Sequence, residues 1–176
     1  MVLYRRNRVS GATYFFTVTL ADRRSRTLID HIDELRRALR SIVAEQPFRI
    51  DAMVILPEHL HALWTLPADD ADYSGRWRRL KSLFTRAVIA RLGGFAQDAK
   101  GEWNLWQRRF WEHTIRDDLD FRRHADYIHF NPVKHRLVRR VRDWPHSTFH
   151  RFVGKGIYAE DWGGDEANSL EGGFGE

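Results

Sequence analysis

Apolar and polar residues alternate along the chain with two periods, and the switches between them mark out elements. Tyr14 to Leu20 (YFFTVTL) is aromatic and β-branched and predicts a strand, set off by Gly11. Asp22 to Arg26 is a charged loop. Asp30 can cap a helix over 31–45, with Ile32, Leu35, Leu39, Ile42 and Val43 on one face and Pro47 as its stop. Phe48 to Leu56 predicts a strand, Pro57-Glu58 a tight break, and His59 to Leu66 a second strand completing a hairpin. After a polar, acidic loop over 67–75, the pattern returns to helical period over 76–92, with Leu80, Leu83, Phe84, Ala87 and Val88 apolar and Gly93-Gly94 at its end. Residues 103–115 predict one or two short strands. Asp117 or Asp118 caps a helix from about Leu119 to Asn131, limited by Pro132. Residues 133–152 are basic and irregular, with a short helix near Ser147, and Gly-rich sequence follows from Gly154. Strand, helix, strand, strand, helix, strand, helix is the order of an α+β fold. It predicts a ferredoxin-like, RRM-like antiparallel sheet with helices mainly on one face and the other face open.

Composition narrows the function. The chain has 176 residues and no cysteine, which excludes a disulfide scaffold, a thiol enzyme, a zinc ribbon and an iron–sulfur protein. The N-terminal residues lack the apolar run of a signal peptide, and the longest apolar stretch, Ala52 to Pro57, is too short to span a membrane. The expectation is a cytoplasmic protein. Its net charge of +5 is unevenly placed. Residues 1–153 carry +10 and residues 154–176 carry −5, so a basic domain is followed by an acidic, Gly-rich tail. A basic domain expects an anionic partner, although solubility alone explains a positive surface. The tail can lie over a basic cleft and compete with that partner.

Three constellations bear chemistry. His59 and His61 sit at i and i+2 of a strand, so both imidazoles point to one face and can share a divalent metal. With nine histidines in the chain, two idle rings on a solvated face explain the pair as well. Tyr127 and Asn131 are four apart on the last long helix and share a face. His124 lies near it, while Asp126 and His129 point elsewhere. Tyr offers a nucleophilic hydroxyl and Asn a carbonyl ligand; the plainer reading is a half-buried aromatic and a helix-terminal residue. The third constellation is basic and aromatic. It includes Arg5, Arg6, Arg76, Arg78, Arg79, Lys81, Arg108 and Arg109, with Trp77, Trp103, Trp106, Trp111 and Trp144 interspersed. Arginines hold phosphate and aromatic faces stack unpaired bases, at about 1–3 kcal/mol each. A metal beside a tyrosine would let an otherwise poor nucleophile attack phosphorus and store the bond energy as a phosphotyrosine.

The segments YRRNRVSGATYFFTVTL, MVILPEHLHALWTLPADDADYSGRWRRLKSLFTR, WQRRFWEHTIRDDLDFRRHADYIHFNPVKHRLV and DWPHSTFHRFV followed by IYAEDWGG occur in this order. Together they resemble the REP-associated tyrosine transposases, a branch of the single-tyrosine HUH transposases and nucleases. The resemblance implies Tyr127 as nucleophile, and His59, His61 and Asn131 as ligands of Mg²⁺ or Mn²⁺. It implies single-stranded, hairpin-forming DNA from repetitive extragenic palindromes (REPs) as substrate, and a monomer acting at the nucleoid. Arg5, Arg6, Arg78, Arg79, Lys81, Arg108 and Arg109 are the expected DNA contacts. One departure stands out: the Lys134-His135-Arg136 stretch lies where the family commonly has a glycine before the Leu-Val pair. Two other readings remain open: a non-catalytic single-strand nucleic-acid binder on the same sheet, and a metal phosphodiesterase with a water nucleophile.

Overall fold

A computed structural model describes residues 7–93 and 103–163. Arg5, Arg6, the turn at Gly94 and the acidic tail from residue 164 lie outside the described residues. The elements are β1 (Thr13–Thr19), α1 (Thr27–Asp30), α2 (Ile32–Glu45), β2 (Arg49–Ile55), β3 (His59–Thr65), α3 (Tyr73–Leu92), β4 (Trp111–Thr114), α4 (Asp118–Lys134), a 3-10 turn (Val141–Asp143) and α5 (Phe149–Gly154). The four strands form one antiparallel sheet in the order β2-β3-β1-β4, so β1 and β3 are central. This is the expected ferredoxin-like α+β arrangement.

Helices α2 and α3 pack on one face. Tyr14, Phe16, Val18, Leu60, Ala62 and Trp64 from the central strands meet Leu35, Leu39, Tyr73, Trp77 and Phe84 there. Trp64 and Trp77 stack with centroids 3.9 Å apart. The opposite face is not open, as the element order had suggested. Helix α4 covers it, with Phe15, Ala52, Val54 and Leu63 packed on Ala125, Tyr127 and Ile128. The run Tyr14-Phe15-Phe16, fully buried at all three positions, already requires cover on both faces.

Several boundaries differ from the sequence reading for local reasons. Helix α3 starts at Tyr73 because the Asp72 side chain accepts from the Gly75 N–H at 2.8 Å. Asp117 caps α4 through the Asp120 N–H at 2.8 Å. Helix α4 continues past Pro132 to Lys134, since a proline this near the C-terminus costs only one ladder bond. It then ends in a Schellman motif. Arg136 N–H donates to Val133 O and Leu137 N–H to Pro132 O, both at 2.9 Å. The motif puts Arg136 at φ +56°, the left-handed region that favours glycine. This is the position where the family resemblance expects glycine. Replacing Arg136 by Gly should therefore stabilise the fold by about 0.5–1 kcal/mol despite the added unfolded-state entropy, read as a higher urea midpoint with unchanged slope.

The chain after α4 returns to the sheet edge. Ile55 N–H donates to His146 O at 2.9 Å and Thr148 N–H to Met53 O at 2.8 Å. The Trp144 indole N–H donates to Ile55 O at 3.0 Å. This strap closes the exposed edge of β2, which would otherwise invite pairing with another chain. Beyond it, Tyr158 stacks on Trp162 at 4.4 Å and on Phe152 at 5.3 Å.

His129 of α4 is fully buried in this region. Burial, with Arg151 adding repulsion, pushes its pKa down to about 3. The unfolded chain takes up a proton near pH 6.5 and the folded chain does not, so protonation favours unfolding. Its contribution to stability is complete above pH 6.5 and is lost as pH falls toward 3. Denaturation at pH 7 and pH 4.5 should show a loss of about 2–3 kcal/mol from this residue, absent from a His129→Gln variant.

Candidate active site

His59 and His61 project from β3 toward α4, at registers opposite Thr19 and Thr17 of β1. Both are buried, at 2% and 0% exposure. Each ring is oriented through Nδ1. Glu58 Oε1 lies 2.9 Å from Nδ1 of His59, and Thr17 Oγ1 lies 2.9 Å from Nδ1 of His61. Burial alone would raise the Glu58 carboxyl, but the hydrogen bond and charge of His59 hold it below its ordinary value. With Nδ1 engaged on both rings, Nε2 is the nitrogen each would offer a metal. The rings are 4.9 Å apart.

Helix α4 brings Tyr127 to this pair. Its ring is 5.2 Å from His61 and 6.0 Å from Phe15, and it is almost fully buried. Asn131, one turn on, is fully buried. Among the described residues neither its Oδ1 nor its Nδ2 has a hydrogen-bond partner, and the same holds for Nε2 of His59. A buried polar atom without a partner costs about 1–3 kcal/mol, so these atoms are set for a ligand rather than for stability. Two imidazole nitrogens and an amide oxygen form a donor set that fits a divalent cation. The structure brings His59, His61 and Tyr127 together, with Asn131 one helical turn along α4 from Tyr127 on the same face.

Sequence reasoning passed over two neighbours. Lys134 donates from Nζ to Tyr127 Oη at 3.5 Å and sits 4.9 Å over its ring. His135 packs its ring 5.1 Å from His59. The i+7 spacing of Lys134 from Tyr127 on one helix was the available signal.

His124 takes a different part from the one its position suggests. It bonds the Asp120 backbone O at 2.8 Å and stacks on His113 at 4.8 Å. Ligand atoms of His113, Asp120 and His124 lie within 4.8 Å of one another, the spacing of a His/Asp metal site. Asp120 is already engaged, by His113 Nε2 at 2.8 Å and by Arg116 Nε and N–H at 3.1 Å. Against the opposing effect of burial, these bonds hold its carboxyl well below the usual carboxylate range. The guanidinium already supplies the positive charge that a metal would bring.

The basic residues divide. Arg78, Lys81 and Arg108 line a cleft of about 580 Å³ along α3, together with Arg86, Trp103 and Trp106. Arg78, Arg86 and Arg108 form no ion pair among the described residues, leaving their charge available to an anion. Arg109 is exposed next to the cleft in sequence. Arg79 instead makes a double hydrogen bond to Glu45 at 3.0 and 3.2 Å. Arg76 is buried and donates to Gln46 O, Pro47 O, Asp72 O and Asp70 Oδ2, so it holds the fold together. Trp77 and Trp144 are likewise buried, as core residues. No helix among the described residues is long and apolar enough to cross a membrane.

No family model matches the chain. Individual relatives do. A REP-associated tyrosine transposase of Escherichia coli (strain K12) is 49% identical over 162 residues, covering 92% of this chain and 91% of the relative. A Haemophilus influenzae protein provisionally given the same name is 46% identical over 171 residues, covering 96% and 97%. A solved structure of a REP-associated tyrosine transposase bound to a REP hairpin superposes with a TM-score of 0.82 at 49% identity, covering 94% of this chain and 93% of that one. Matches of this extent and identity make the class that of a tyrosine transposase. More narrowly, the chain belongs to the REP-associated tyrosine transposases.

Proposed function

We propose that the protein is a metal-dependent single-stranded DNA endonuclease and strand transferase acting on hairpin-forming repetitive extragenic palindromes. The observation that carries this is the burial of Tyr127 against His61, with His59 next to His61 and the buried amide of Asn131, unpartnered among the described residues, one turn along α4. The relative bound to a REP hairpin supports the substrate class.

His59 and His61 through Nε2, and Asn131 through Oδ1, would hold Mg²⁺ or Mn²⁺. The ion would polarise the scissile phosphodiester and stabilise charge on its oxygens. Tyr127 Oη attacks phosphorus and loses its proton. The P–O3′ bond breaks, the 3′ oxygen takes up a proton, and the 5′ end stays on Tyr127 as a phosphotyrosine. Attack by another 3′-hydroxyl reverses the step and joins strands without ATP. Lys134, at hydrogen-bond distance from Tyr127 Oη, orients the phenol and adds positive charge where the phosphate arrives. All four principal groups come from one chain, so a monomer suffices. A protein of this kind works in the cytoplasm, at the nucleoid.

Incubating the protein with single-stranded REP hairpins and Mn²⁺ tests the reading: a covalent protein–DNA band supports it, and intact DNA with no band sinks it. The cleft along α3 is the proposed track for the strand flanking the hairpin. Replacing both Arg78 and Arg108 by Ala should weaken hairpin binding about 10-fold or more at low salt. It should also flatten the log–log salt dependence by about two phosphate contacts. Unchanged affinity would remove the cleft from the DNA path.

A further inference from the structure

The segments DWPHSTFHRFV and IYAEDWG, at Asp143–Val153 and Ile157–Gly163, supply none of the chemistry above. They carry a continuous, half-buried polar chain that ends on α4, with His129 its fully buried member. The Met53 N–H donates to Thr148 Oγ1 at 2.8 Å. Thr148 Oγ1 lies 2.8 Å from His129 Nε2. His129 Nδ1 lies 3.3 Å from Tyr158 Oη, which donates to Asp126 Oδ1 at 2.5 Å. A neutral His129 lets the bonds run one way, Met53 N–H to Thr148, Thr148 O–H to Nε2, Nδ1–H to Tyr158 and Tyr158 O–H to Asp126, with Met53 O at 3.2 Å the longer, competing acceptor of the Thr148 hydroxyl. Chains of this kind strengthen cooperatively in a low-dielectric interior. Desolvation raises the Asp126 carboxyl, an effect the Tyr158 bond opposes.

The placement of its two ends on α4 matters. Asp126 precedes Tyr127, and His129 lies midway between Tyr127 and Asn131. Asp126 and His129 are three apart and share one helix face, while Tyr127 and Asn131 share the adjacent face toward the sheet. Tyr158 is itself fixed by stacking on Trp162, Phe152 and Phe149, and Thr148 is bonded to β2. Two directional contacts on one face therefore set the rotation of the other. A 10° turn of α4 would move a group about 6 Å from its axis by about 1 Å. Misplacement of about 1 Å costs on the order of 10²-fold in rate. Apolar packing could hold the helix down, but it would not select one angle.

We propose that the 143–163 segment is a positioning clamp, in which Tyr158 on Asp126 and Thr148 on His129 index α4 so that Tyr127 and Asn131 face the histidine pair. Tyr158 and Asp126 are positioning residues and touch no reacting group. The proposal rests on the transposase reading for its kinetic consequence and on geometry alone for its structural one.

The test compares Tyr158→Phe, Asp126→Leu and Asp126→Asn with the parent in two measurements. The first is covalent adduct formation on a REP hairpin with Mn²⁺. The second is the nuclear Overhauser effect between the Tyr127 and His61 rings in the protein without DNA. Tyr158→Phe and Asp126→Leu should lower the maximal rate about 10-fold or more with KM for the hairpin within about twofold, and should weaken the ring-to-ring signal. Asp126→Asn keeps an acceptor for the Tyr158 hydroxyl and should stay near the parent in both. If Tyr158→Phe and Asp126→Leu lose melting temperature but keep rate and ring signal, the clamp is only a stabilising element and the proposal fails. If Tyr158→Phe does not fold, Thr148→Val removes the other contact with less loss of packing and takes its place. If the parent forms no adduct, the transposase reading fails, and the ring signal alone decides the clamp.

Discussion

Tyr127→Phe should abolish the covalent protein–DNA adduct and lower cleavage at least about 10³-fold, while hairpin affinity stays within about twofold of the parent. The substitution removes one oxygen and leaves the ring that packs on Phe15 and His61. That oxygen accepts from Lys134 Nζ at 3.5 Å, and losing this long bond leaves the ring packing in place, so the fold should persist. The basic cleft along α3 is on the other side of the sheet and keeps its arginines, so binding and chemistry separate cleanly. Cleavage surviving in the variant would mean that water attacks in place of the phenol. An unmodified pattern of binding without cleavage in the parent itself would favour the non-catalytic single-strand binder.

The second large effect comes from the histidines. Replacing both His59 and His61 by Ala should reduce Mn²⁺-dependent cleavage to background, about 10³-fold or more, because two of the three candidate ligands are lost. His61 is fully buried, so some stability goes too, about 1–3 kcal/mol for the space left behind. Thermal melting measured alongside separates the two losses: a folded variant without cleavage supports the metal reading. A folded variant that cleaves as the parent does would remove these residues from the chemistry.

Much of this site was legible in the sequence because it rests on local rules. The period-2 pattern after Pro57-Glu58 put both histidines on one face of a strand, and helical spacing put Tyr127 with Asn131. The order of strands and helices predicts a ferredoxin-like antiparallel sheet, and the observed strand order is β2-β3-β1-β4. What failed depended on tertiary partners. A run such as Tyr14-Phe15-Phe16 does not say which element covers its second face, so the element order alone predicts an open face where α4 packs. The basic residues of α3 could not be sorted by sequence, since Arg78 and Arg79 differ only by the 100° that turns one to the cleft and the other to Glu45. Arg76 looked like surface charge and is a buried hub, because the carbonyls it satisfies come from the end of α2 and the following loop. The short α1 falls between the charged loop 22–26 and the helix over 31–45, and its four residues are too few to give a periodic signal.

The central claim is that Tyr127 makes the covalent bond to DNA. Mass spectrometry of the protein digested after reaction with a REP hairpin and Mn²⁺ tests it most directly. The account predicts one nucleotide-bearing peptide, with the phosphate on the oxygen of Tyr127. Cleaved DNA with no modified peptide, or the nucleotide on any other residue, would contradict it.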